Sequence, residues 1–98
     1  MSKIIKSKVV GIYTVQVRST RECARVKAEY FIEVYCLREH FGIEAYQAQV
    51  GYHEKTIKTK STAFDVAESI AIGKTTYKGF MGGESNSIPQ SKHNELQH

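Results

Sequence analysis

A cysteine and a histidine occur at a spacing that suits metal binding. Cys36 and His40 are four residues apart, so on a helix their side chains would project from neighbouring turns. A zinc site needs three or four ligands, and no CxxC or HxxxH pair elsewhere supplies the rest. A position near a helix C-terminus explains His40 more simply, because a charged histidine interacts favourably with the helix dipole there. We therefore predict no metal and no cofactor.

Two further patterns resemble nucleotide-binding or catalytic motifs, but the residues around them do not fit those motifs. Gly73-Lys74-Thr75-Thr76 resembles the end of the phosphate-binding loop GxxxxGK[ST], but the first glycine would fall at Glu68 and a helical pattern precedes it. Glu29 and Glu33 are paired acids, yet Arg25 lies four residues before Glu29, as on a solvated helix surface. No GxSxG nucleophile motif is present. We expect a protein that is not an enzyme.

Length and composition limit the classes of protein further. The 98 residues suffice for one small domain with a single core. A hydrophobic fraction of 41% and a charged fraction of 24% are those of a globular protein. No apolar run approaches the roughly 20 residues of a membrane helix, and no signal peptide is evident, so we expect a cytoplasmic protein without membrane contact. Fourteen basic against ten acidic residues favour anionic partners.

Three segments have the pattern of strands. Residues 9–18 alternate between apolar and polar side chains, and 43–50 do so again. Residues 55–60 contain fewer apolar residues, with Ile57 facing inward and lysines facing outward, as in a strand at the edge of a sheet.

Two segments have the pattern of helices. Ser19 to Glu22 matches a capping box, and Gly42 is a suitable end, so the first helix spans the residues between. Its core stripe consists of Cys23, Val26, Tyr30, Val34, Leu37 and Phe41. The rival interpretation is a strand at 30–37, which is rich in aromatic and β-branched residues. The second helix begins at Ser61 or Thr62 and ends at Gly73.

These elements predict an α+β fold in the order β-α-β-β-α. A three-stranded, mainly antiparallel sheet would carry both helices on one face. The domain would span 1–78. Residues 79–98 are rich in glycine, serine, asparagine and glutamine and would form a flexible tail.

The outward face of the predicted sheet is the best candidate for a binding surface. It would display amide and basic side chains with almost no acid, and such groups can contact phosphates and base edges. The predicted nucleic-acid-binding residues are Gln16, Arg18, Arg21, Arg25, Gln47, Gln49, Lys58 and Lys60. Exposed aromatic residues are missing from its centre, which argues against stacking of single-stranded bases.

A second candidate surface lies on the first predicted helix. Ile32, Tyr35 and Cys36 fall away from its core stripe, on a side that solvent would otherwise cover. A cluster of this kind suits a protein partner or a homodimer formed through the first helix.

The segment YQAQVGYHEKTIKTKSTAFDVAESIA places a polar hairpin before a capped helix. This order resembles the three-stranded DNA-binding domains at the N-terminus of phage-type integrases, and it is similar to the second half of double-stranded RNA-binding domains. The second family has paired lysines at the start of the helix, where this chain has Ser61 and Thr62. Both resemblances imply binding to a nucleic-acid duplex.

The sequence therefore predicts a small non-enzymatic protein that binds nucleic acid, as a duplex, through its sheet face. The alternative is a protein-binding inhibitor or adaptor of the phage or mobile-element accessory type, such as an anti-defence protein. It would act by occupying a site on a larger target.

Overall fold

The computed structural model describes residues 2–20, 27–40, 43–80 and 83–90. In these residues six strands form one antiparallel sheet, with neighbours in chain order, and one helix packs on it. The elements are β1 (Ser2–Val10), β2 (Tyr13–Thr20), β3 (Tyr30–His40), β4 (Ile43–Tyr52), α1 (Lys60–Ala71), β5 (Tyr77–Gly79) and β6 (Ser85–Asn86). The prediction of three strands and two helices is wrong.

The largest difference is β3, which replaces the second half of the predicted first helix. Its burial alternates with a period of two, because Ile32, Val34 and Cys36 are buried while Phe31 and Glu33 are only half-buried. β3 pairs with β2 on one side and with β4 on the other. These two partners favour the extended form of a β-branched and aromatic segment over the helical stripe. Residues 21–26 and 41–42 of the predicted helix lie outside the described residues.

The first predicted strand also changes. Residues 9–18 contain a turn, since β1 ends at Val10 and β2 begins at Tyr13. Gly11 adopts φ 60°, a conformation that glycine takes without a Cβ clash, and it reverses the chain. The lysine-rich N-terminus becomes the edge strand β1.

The helix α1 lies close to its predicted position. It begins at Lys60, and Gly73 follows its end with φ 82°. Its buried alanines and Ile70 pack on β1, β2 and β3, where Val15, Val17, Ile32 and Val34 form the sheet side of the core. Small alanine side chains let the helix axis approach the sheet closely. The predicted third strand is reduced to a single bridge between Ile57 and Tyr30.

Residues after 78 take part in the fold. β6 pairs with β5, and Ile88 is 1% exposed in the core. The Gln90 side-chain amide donates to Ala71 O, one of the carbonyls that the end of α1 leaves without a helical partner. Residues 79, 80 and 83–90 thus belong to the fold and not to the predicted tail, and 91–98 lie outside the described residues.

Candidate functional site

The sheet has one face without a covering helix in the described part of the chain. Strand pairing places Gln16 beside Glu33 and Glu33 beside Tyr52, on the side opposite the core residues of the same strands. We call this surface the open sheet face. Its central members are Gln16, Arg18, Phe31, Glu33, Tyr35, Gln49 and Tyr52.

Glu33 lies at the centre of the open sheet face and accepts three side-chain hydrogen bonds at one oxygen. Gln16 Nε2 donates to Glu33 Oε1 at 3.0 Å, Arg18 Nε at 3.2 Å and the Tyr35 hydroxyl at 3.3 Å. Gln16 is only 8% exposed although no helix covers it, because the side chains of neighbouring strands close over it. Glu33 therefore orients three side chains of the face.

The carboxylate also changes the acidity of its neighbours. Its hydrogen bond and its charge raise the pKa of the Arg18 guanidinium. Burial raises the pKa of the Tyr35 phenol, and Glu33 adds to this effect. Tyr35 therefore remains a neutral hydrogen-bond donor at physiological pH.

Three aromatic side chains surround this polar centre. Phe31 and Tyr35 flank Glu33 along β3, and Tyr52 faces Glu33 from β4. The register of β4 shifts at Val50, so that Gly51 pairs with Val34 and Tyr52 lies on the open sheet face. Without this bulge the alternation would place Tyr52 on the core side. The ring of Phe80 contacts that of Tyr52, with centroids 5.5 Å apart.

Lysines collect at one end of the sheet, in the row next to that of Arg18 but with Lys3 on the side that carries α1. Adjacent strands there carry Lys3, Ser19, Tyr30 and Ile57 in one row, followed by Lys58 and the first residue of α1, Lys60. Lys27 is exposed in the segment that leads into β3. Lys58 Nζ donates to the Glu29 carboxylate. We call Lys3, Lys27, Lys58 and Lys60 the basic end.

The structure brings together part of the predicted nucleic-acid surface. Gln16, Arg18, Gln47 and Gln49 share the open sheet face, as the alternation predicted. Lys58 and Lys60 leave the sheet, because the chain turns into α1 where a third strand was expected. Arg21 and Arg25 lie outside the described residues.

The predicted partner patch does not form one surface. Ile32 is 1% exposed and packs in the core, and Cys36 is a buried free thiol on the same side of β3. Tyr35 points to the opposite face and bonds Glu33. In a strand, residues four apart lie roughly 13 Å from each other, so Cys36 and His40 are not on neighbouring helical turns.

The sequence reasoning missed Phe31, Glu33 and Tyr52 as members of the face. The sequence carried a signal for Phe31 and Glu33, since residues 31–36 fit an alternating strand pattern as well as a helical pattern. The position of Tyr52 depends on the bulge at Val50, for which the sequence carries no clear sign.

Two cavities open at the ends of β5. One, of about 210 Å³, has Tyr13, Cys36, Arg38 and Tyr77 in its wall. Burial raises the pKa of the Tyr77 phenol, and the neighbouring Tyr13 and Cys36 add to the effect. The other, of about 250 Å³, has His53, Lys55 and Lys78 in its wall. Within the described ranges no three His, Cys, Asp or Glu residues are grouped as metal ligands.

Comparisons with protein-family models, with curated proteins and with solved structures found no match to this chain. Among the residues placed here, α1 is too short and polar to traverse a lipid bilayer. Any functional conclusion therefore depends on the geometry of the chain itself.

Proposed function

We propose that the protein binds single-stranded nucleic acid, with bases on the open sheet face and phosphates at the basic end. The observation that carries this proposal is the group of Phe31, Tyr35 and Tyr52 around a polar centre on an uncovered antiparallel sheet. Aromatic side chains on such a sheet can stack unpaired bases, whereas a duplex keeps its bases inside.

The polar groups between the aromatic rings suit base edges. Gln49 and Gln16 carry amides that donate and accept, and Arg18 carries a guanidinium held in place by Glu33. The charge of Glu33 is offset by Arg18, so the centre of the face does not repel a polyanion strongly. The aromatic platform changes the expected target from the duplex predicted by sequence to a single strand.

The basic end supplies the electrostatic part of binding. Lys3 and Lys60 are exposed and make no ion pair with another described residue, so phosphates can contact them without breaking an existing bond. Each neutralised phosphate releases counterions, which makes the affinity fall with salt.

The test is fluorescence anisotropy with labelled single-stranded DNA, single-stranded RNA and a duplex of the same sequence, across a salt series. We expect tighter binding to a single strand than to the duplex. Replacing Phe31 or Tyr52 by Ala should weaken single-strand binding about tenfold, because one stacking contact is lost. Ile72→Ala, an exposed apolar truncation beyond the end of α1, is the matched control and should have no effect.

Charge variants test the basic end separately. Lys3→Gln and Lys60→Gln should each lower the slope of log K against log salt by about 0.7. Lys74→Gln, at the opposite end of α1, should leave the slope unchanged. Absence of binding to every nucleic acid at low salt would overturn the proposal.

A protein target is the second candidate for the same face. Ile4 and Leu37 lie on the open sheet face and are 49% and 39% exposed, and apolar residues at such positions favour contact with a protein surface. A pull-down from cell lysate with and without nuclease distinguishes the two. Recovery of one protein regardless of nuclease, with no anisotropy change, would favour the protein target.

A further inference from the structure

Among the described residues, the outer edge of β4 has no strand partner for most of its length. β5 pairs only with Gly51 and Tyr52, and Phe80 N donates to Val50 O at 3.4 Å. Within the described ranges no strand pairs with the outer side of 43–49. Alternate residues of this stretch therefore direct backbone N–H and C=O groups away from the sheet, where another strand can bond them.

Lysines protect β1 but not the free part of β4. β1 carries Lys3, Lys6 and Lys8, and lysine on an edge strand discourages pairing with another chain. In β4 the stretch 43–49 contains no lysine, arginine or proline, and Glu44 is its only charged residue. β6, the last strand of the sheet, has only two residues, so β4 offers the longest described edge without a lysine.

We propose that two copies of this chain associate by antiparallel pairing of their β4 edges, centred on Tyr46. A two-fold axis perpendicular to the sheet relates the copies, so the association closes as a dimer. Pairing of β4 with the β1 edge of another copy would be heterologous, and a pair formed in this way would leave one β4 edge and one β1 edge free. Pairing of β1 with β1 would bring lysines against lysines.

The residues of the stretch are complementary in this register. Tyr46 lies opposite Tyr46 of the second copy, and it is 46% exposed in the single chain. The register of β4 with β3 shifts between Ile43 and Tyr46, so the regular part of the edge begins at Tyr46. Glu44 is the only charged residue of the stretch and lies on the far side of the axis from its counterpart in the other copy, so no like charges meet. Aromatic side chains paired across strands stabilise a sheet.

The position of α1 leaves room for the second copy. The helix packs on β1, β2 and β3, away from the free edge of β4. β5 occupies the line beside β4 only from Val50 onwards, so it does not cover the stretch 43–49. The two-fold axis keeps both open sheet faces on the same side, which doubles the length of that surface.

Sedimentation equilibrium across a wide concentration range tests the dimer. A seven-residue pairing is a small interface, so we expect a dissociation constant in the tens of micromolar. Tyr46→Lys places two ammonium groups opposite each other and should leave only monomer, with an unchanged circular dichroism spectrum. Ile72→Lys, which adds the same charge at an exposed isoleucine elsewhere, should dimerise like the wild type.

A charge-pair experiment tests the register. Tyr46→Glu alone should also be monomeric, but an equimolar mixture of Tyr46→Lys and Tyr46→Glu should form a heterodimer, because opposite charges then meet at the axis. A wild type that stays monomeric at millimolar concentration would overturn the proposal. So would a dimer that Tyr46→Lys does not weaken, or a mixture that remains monomeric. Nucleic-acid binding is measured separately on the monomeric variant Tyr46→Lys. A failure of the proposed nucleic-acid function can therefore be distinguished from a failure of the dimer proposal.

Discussion

Glu33 organises the open sheet face through its side-chain oxygen. Three donors from β2 and β3 converge on it, and the Glu33 and Arg18 side chains are 20% and 28% exposed. Water therefore competes only partly for these bonds, and hydrogen bonds to a charged group are stronger than neutral ones. The orientation of Gln16, Arg18 and Tyr35 depends on this one carboxylate.

Replacing this carboxylate by an amide should lower stability. For Glu33→Gln we expect a loss of about 1–2 kcal/mol in the free energy of unfolding, since the charge-assisted bond to Arg18 is lost while an acceptor oxygen is kept. Urea denaturation measures this change. Glu39→Gln, on the exposed part of the same strand, should cost less than about 0.5 kcal/mol. Equal losses in both variants would contradict the central role of Glu33.

Buried phenols make stability depend on alkaline pH. Burial raises the pKa of Tyr77 above its ordinary value of about 10, so the folded chain keeps this proton where the unfolded chain releases it. The contribution is complete below about pH 10 and is lost as pH rises through the folded pKa. Urea denaturation should therefore show wild-type stability falling above about pH 10, and Tyr77→Phe should fall less steeply.

At the scale of elements, β4 and β5 approach closely at a glycine. A Cβ on Gly51 would overlap the ring of Tyr77 and the carbonyl of Lys78. Both belong to the neighbouring strand, and the ring is itself buried, so neither can move aside easily. Gly51 thus permits the pairing that carries the chain into β5.

Gly51→Ala should therefore be strongly destabilising. We expect a loss of about 3 kcal/mol, because overlap with backbone and with a packed ring is relieved only by moving β5. Gly79→Ala is the matched comparison. Its Cβ would meet the amide nitrogen of Asn86 at 2.8 Å, and this nitrogen is at the end of a flexible side chain that can move. The substitution should therefore cost less stability than Gly51→Ala. Thermal unfolding of both variants gives the order, and a larger loss for Gly79→Ala would contradict this explanation.

At the scale of the whole molecule, the segment after β6 closes the core. Ile88 is 1% exposed and belongs to the same core cluster as Ile70 and Ala71 of α1, and the Gln90 side chain donates a hydrogen bond to the end of that helix. The chain therefore fixes the C-terminal end of α1 with residues distant in sequence.

Ile88→Ala should cost about 2–4 kcal/mol, since it removes buried methyl groups and leaves a cavity. Ile72→Ala makes the same chemical change at a residue that is 41% exposed, and it should cost less than about 0.5 kcal/mol. Chemical denaturation compares the two. Similar small losses would show that the segment around Ile88 is not part of the core.

Local signals were sufficient for some elements. α1 forms where its alanine-rich periodicity and Gly73 predicted it, and β4 alternates regularly from Tyr46 to Gln49, whereas its register with β3 shifts between Ile43 and Tyr46. The prediction that Gln16, Arg18, Gln47 and Gln49 share one face was also confirmed. In each case the residues that decide the conformation are neighbours in the sequence, so propensity and period act without competition.

Only the tertiary structure decided the nature of the face on which those residues lie. The segment 30–37 satisfies both a helical and an alternating pattern, and its pairing with β2 and β4 selects the strand. That selection places Glu33 at the centre of a surface expected to lack acids, and the bulge at Val50 adds Tyr52. Side-chain chemistry was thus readable from the sequence, whereas its arrangement depended on contacts between residues far apart in the chain.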